Sequence, residues 1–133
     1  MFTRIFQGLA WLIVAGLALE FYLAGAALFG ATTFEPHRAL GVGLAAAILL
    51  LLLVALIARP GRRVVGLATL LAGLTIVQML APSLRSGLPW VAALHVVNAA
   101  ALATVTVNIA RAAGQPAEAS RSGEALLVTA KTT

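Results

Sequence analysis

Residues Ala39–Ala58 read ALGVGLAAAILLLLLVALIA, an unbroken apolar run without a single charged side chain. At about 1.5 Å per residue, a helix of this length crosses the roughly 30 Å hydrocarbon core of a bilayer. The run is continuous rather than alternating, and an isolated span must satisfy its own backbone hydrogen bonds, so it reads as a helix and not as a barrel strand. Working outward, three more stretches of the same character appear, roughly Ile5–Ala31, Val64–Ala81 and Pro89–Ala110, of which Val64–Ala81 is the shortest. With 62% hydrophobic and only 10% charged residues, an ordinary water-soluble core is excluded.

The expected architecture is therefore all-α, a four-helix transmembrane bundle over residues 1–111 with both termini cytoplasmic. From residue 112 to 133 the composition turns to Gly, Pro, Ser, Ala and Glu, as expected of a flexible cytoplasmic tail. Its last segment, Glu124–Thr133, has the composition for at most a weak helical turn. Arg59-Pro60-Gly61-Arg62-Arg63 is a tight turn that makes the second and third helices antiparallel neighbours. Pro36 and Pro89 stand where a first helical turn begins, a position that tolerates the missing N–H. The beginning also carries secretion-signal features, with Arg4, an apolar run and the small residues Ala24, Gly25 and Ala26. The length of that run and Glu20 within it favour a retained first helix.

Basic residues sort by side. Arg4, Arg59, Arg62, Arg63, Arg111, Arg121 and Lys131 fall on the side of the termini, and only Arg38 and Arg85 fall on the other. That asymmetry follows the positive-inside rule and places the termini in the cytoplasm. The net charge of +5 thus reports topology. Nucleic-acid binding would need a soluble basic face with stacking aromatics, and the sequence offers none. No cysteine is present, which excludes disulfides, thiolate metal sites and iron–sulfur clusters. The Ala-, Leu-, Gly- and Arg-rich usage suits a high-GC bacterium, and hence a bacterial cytoplasmic membrane.

Within so apolar a chain the intramembrane polar residues carry the functional information. Glu20 lies about two-thirds along the first helix, Gln78 on the third, and His95 and Asn98, three apart and on one face, on the fourth. One internal polar layer is the economical interpretation, either as interhelical hydrogen-bond glue or as a site. His37 and His95 are the only histidines, each near the outer start of an apolar helix. Two imidazoles converging on one layer would clamp a flat cofactor from both faces. Gly41 and Ala99, each one turn below a histidine, leave room for a porphyrin edge, and Arg38 at the interface would pair with a propionate. Counted from Pro36 and Pro89, His37 is one residue in and His95 six, which implies a depth offset of roughly 7 Å between them.

Glu35-Pro36-His37-Arg38-Ala39-Leu40-Gly41 resembles the Glu-x-x-His-Arg-x-x-Gly pattern that opens a haem-ligating helix in the haem A synthase family, and Leu94-His95-Val96-Val97-Asn98-Ala99 is similar to that family's second histidine helix. Those proteins consist of two four-helix halves, each able to hold a haem between paired histidines near the outer side. The chain corresponds to one half, with one residue instead of two between the acid and the histidine. The resemblance implies that His37 and His95 are axial ligands of a haem b and that Glu35 stands at the functionally important outer-loop acid.

The leading expectation is thus a small b-type cytochrome-like protein serving electron transfer or haem handling, with Gly41, Arg38 and Asn98 beside the two histidines. No residue is assigned a catalytic role. Two alternatives stay open: a non-catalytic accessory or assembly subunit, and a small proton-coupled exporter using Glu20. A metal site built on His37 and Glu35 has too few ligands to stand alone. Beyond the lipid bilayer, a homodimer or a larger membrane complex is open as the partner.

Overall fold

The computed structural model describes residues 2–114, with side chains from Arg4 onward. Four long helices run in order, α1 (Phe2–Leu28), α2 (Glu35–Ala58), α3 (Arg62–Leu80) and α4 (Pro89–Gly114), with a short 3-10 turn at Ala81–Leu84 continuing α3. Each provides a segment long and apolar enough to cross a membrane, between 23 and 26 residues. Neighbours in sequence pack as neighbours in space, and α1 closes the ring against α4. The backbones of the diagonal pairs, α1 with α3 and α2 with α4, stay apart among the described residues.

The helix limits differ from the apolar runs for local reasons. α2 starts at Glu35, four residues before the uncharged run, because Pro36 is accommodated in the first turn and Glu35 suits the positive end of the helix dipole. It ends at Arg59, which takes up the left-handed conformation (φ 48°) and donates its N–H to Ala55 O at 2.9 Å. Gly61, at φ 124°, then makes the sharp re-entry into α3 that a side chain would oppose. α4 continues past the expected limit at 111 as far as Gly114. Ala113 is buried there, and Gln7 of α1 donates its side-chain amide to Ala110 O at 3.3 Å. The rest of the expected tail, including Arg121, Lys131 and Glu124–Thr133, lies outside the described residues.

Each helix presents one seam to the bundle interior, spaced alternately three and four residues apart, the period of left-handed helix packing. On α1 the seam is Phe6, Ala10, Ile13 and Leu17; on α2, Ala55, Leu51, Ile48 and Leu44; on α3, Val64, Ala68, Leu71 and Thr75; on α4, Ala113, Ile109, Thr106 and Leu102. All of these are buried, and together they form the closed core at the terminal end of the bundle. Leu44 fills the space where a side chain on Gly16 would stand. Thr75 and Thr106 satisfy their buried hydroxyls on the carbonyls four residues back, Leu71 O and Leu102 O, at 2.8 and 2.7 Å.

Continued toward the loop end, the same seams change character. They read Glu20, Ala24 and Ala27 on α1, Gly41 and His37 on α2, Gln78 on α3, and Ala99, His95 and Ala92 on α4. Across residues 18–43 and 76–101 only Glu20 and Ala81 are buried.

Candidate functional site: a paired-histidine layer

The expected depth offset between the histidines is absent. His37 and His95 meet across the bundle axis, with ring centroids 6.3 Å apart and ring planes at 77°. Counting along the seams explains this: His37 precedes Leu44 by seven residues, and His95 precedes Leu102 by seven. Both rings are therefore two seam steps above the closed core. Counting from the prolines misleads because α4 projects further beyond its histidine than α2 does.

His37 is held from α1. Its Nδ1 lies directly against Glu20 Oε2, and Glu20 is 8% exposed. Neither Glu20 oxygen nor His37 Nδ1 has a further hydrogen-bond partner among the described residues. With Glu20 ionised and His37 neutral, the carboxylate accepts from Nδ1–H, and Nε2 is the nitrogen left for a ligand. Gly41, one turn below, leaves the carboxylate room: a Cβ there would stand 3.2 Å from Glu20 Oε1 and press on it. Phe34 meets the same imidazole in an edge-on contact, with centroids 6.2 Å apart.

His95 is held from α3. Its Nδ1 donates to Gln78 O at 3.0 Å, since a carbonyl can only accept, and its Nε2 accepts from Gln78 Nε2 at 3.2 Å. Asn98 completes the network, donating to Gln78 Oε1 at 2.7 Å and to Leu74 O at 2.9 Å. Asn98 thus binds α4 to α3 rather than facing the gap between the histidines. At the surface, Arg38 Nη1 donates to Glu35 Oε1 at 3.0 Å, with both side chains largely exposed. The Glu35 backbone N–H donates to Thr33 Oγ1 at 3.4 Å.

All four helices therefore contribute to one polar layer: Glu20, His37, Gln78 and His95 with Asn98. The sequence had placed these residues in the same half of the membrane. It did not reveal that Glu20 partners His37, or that backbone carbonyls of Leu74 and Gln78 serve as acceptors. A usable signal existed in the three-four seam spacing, which runs from Leu17 to Glu20 and from Leu44 through Gly41 to His37.

Among the described residues no group of three or more His, Cys, Asp or Glu side chains is positioned to hold a bare metal ion. A bare ion draws three or four ligands from protein, whereas a porphyrin brings four nitrogens of its own and asks only for the axial pair. The donor set fits that second demand. Two imidazoles have Nδ1 anchored, they project from helices whose backbones stay apart, and the seam around them carries Ala24, Ala27, Ala92 and Ala99, all half-buried, while the Glu20 carboxylate takes the space beside Gly41.

Residues 20–83 match the Family of unknown function (DUF6220). The matched segment takes in Glu20, Glu35, His37, Arg38, Gly41 and Gln78 and stops before α4 with His95 and Asn98. No curated protein and no solved structure matches the chain.

Proposed function

We propose that this chain is a small integral membrane haem protein of the cytochrome b kind, with His37 and His95 as its axial ligands, serving electron transfer or haem handling. The observation that carries the reading is the anchoring of both imidazoles through Nδ1, one on the Glu20 carboxylate and one on the Gln78 carbonyl, with ring centres 6.3 Å apart. Metal-ligating histidines characteristically donate their other N–H to a carboxylate or a backbone carbonyl. A metal held between two imidazole nitrogens at about 2 Å each sets the ring centres roughly 6 Å apart. The resemblance to the haem A synthase half adds the same two positions.

When bound, haem b supplies a one-electron iron couple whose coordination two imidazoles keep full. The protein's own contribution is positional. Glu20 and Gln78 fix the tautomers, the small seam residues leave room, and the layer of Leu17, Leu44, Thr75 and Leu102 closes the floor beneath. Ligation through His95 Nε2 would require the Gln78 amide to leave that nitrogen. Arg4, Arg59, Arg62, Arg63 and Arg111 at the terminal end, against Arg38 and Arg85 at the loop end, support cytoplasmic termini and a histidine layer near the outer face of a bacterial cytoplasmic membrane.

Titration of the purified chain with haemin tests the reading. A saturable Soret band at one haem per chain, lost in both His37→Ala and His95→Ala, is expected. A second reading, an accessory or assembly subunit, is favoured by one observation: Gln78, His95 and Asn98 satisfy one another without any ligand. A chain that takes up no haemin and leaves gentle detergent with a stoichiometric partner would establish that reading instead.

A further inference from the structure

Glu20 and Gly41 stand together in the seam layer below the histidines, and neither belongs to the axial pair. Glu20 is buried in the least covered part of the bundle, its oxygens have no polar partner but His37 Nδ1 among the described residues, and α2 carries a glycine where a Cβ would stand 3.2 Å from Glu20 Oε1. Such a carboxyl is costly at this depth and persists where it has a partner or a task. The sequence pattern alone assigns Gly41 to clearance for a porphyrin edge, but in the structure it is the Glu20 carboxylate that takes up this clearance.

We infer that Glu20 is the positioning residue of the histidine pair and that Gly41 is its seat: the carboxylate holds His37 in the Nδ1–H tautomer with Nε2 left for the ligand, and a side chain at 41 dislodges it. The inference rests on the haem reading for its consequence and on geometry alone for its mechanism. His95 needs no such residue, because the Gln78 carbonyl does the same work from the backbone. The two halves of the site are therefore anchored differently, one through a side chain that mutation can remove and one through a carbonyl that it cannot.

The test uses the full chain, labelled with nitrogen-15 histidine, prepared without haem in lipid nanodiscs and in alkaline buffer. Ring nitrogen shifts should report His37 as a single Nδ1–H tautomer in the wild type. In Glu20→Ala and Gly41→Val the Nε2–H form of His37 should appear while His95 stays unchanged, and Glu20→Asp should keep the wild-type pattern. An unaltered His37 in Glu20→Ala overturns the assignment. Haemin titration of the same proteins reads the consequence: Glu20→Ala should weaken binding by roughly 10- to 100-fold. Gly41→Ala should weaken it as well while leaving the thermal midpoint no lower, since alanine favours the helix. Equal haemin affinity in wild type and Glu20→Ala also overturns the positioning role. If the wild type binds no haemin, the haem reading fails, and the nitrogen shifts alone still decide what Glu20 does.

Discussion

The two ends of this bundle follow one periodicity and use it for opposite purposes. At the terminal end the seams carry Phe6, Ile13, Leu17, Leu44, Ile48, Leu51, Leu71 and Ile109, buried and interlocked; at the loop end the same seams carry Glu20, Gly41, His37, Gln78, Ala99 and His95, only one of them buried. Lipid tails are as apolar as leucine, so helices in a bilayer associate through close packing and hydrogen bonds rather than through hydrophobic expulsion. The closed end uses the first means and the open end the second. What separates scaffold from site is side-chain size and chemistry at successive seam positions, with the helices themselves unbroken.

That division is easiest to break by moving bulk from one end to the other. Leu51→Ala, in the closed end where Leu51 is fully buried, is expected to cost about 2–5 kcal/mol in reversible unfolding from mixed micelles. Ala24→Leu, adding similar bulk to the open end, is expected to change stability by less than about 1.5 kcal/mol, within the range of tolerated hydrophobic changes, because Ala24 is only half-buried. It should nevertheless block haemin uptake. Equal destabilisation by the two changes would mean that the loop end is packed after all.

A middle-sized effect is expected at Asn98. Its alanine variant loses the hydrogen bonds to Gln78 Oε1 and Leu74 O, and interhelical hydrogen bonds in membranes average about 0.6 kcal/mol with a maximum near 1.7. A loss of about 1 kcal/mol with haemin affinity changed less than in Glu20→Ala would confine Asn98 to holding α4 against α3. The smallest effect belongs to Arg38→Ala. The Glu35 pair is exposed, and such pairs contribute roughly 0–1 kcal/mol. A drop in haemin affinity without a drop in stability would show that Arg38 leaves Glu35 for a propionate.

The bundle was legible in the sequence because four long apolar runs and their punctuation leave little choice of architecture. The polar layer was legible as a set, since ionisable and amide side chains are rare enough inside a membrane to be counted. Pairings were not. Glu20 and His37 lie on neighbouring helices at unequal distances from the turn that joins them, eight residues before the end of α1 and two after the start of α2. Only the seam register brings them together. Depth was misjudged for a related reason, because a proline marks where a helix begins and not where the bundle does. The acceptors at Leu74 and Gln78 are backbone atoms, which no residue identity announces.

Low-temperature electron paramagnetic resonance of the oxidised protein, purified from haem-replete cells, tests the central claim most directly because it reports on both axial ligands at once. Kept at the 77° that their planes make in the structure, the two imidazoles should give the highly anisotropic low-spin ferric signal of crossed bis-histidine ligation, and either histidine variant should abolish it. A preparation without haem, or a low-spin signal that persists in His37→Ala and His95→Ala alike, would contradict the account.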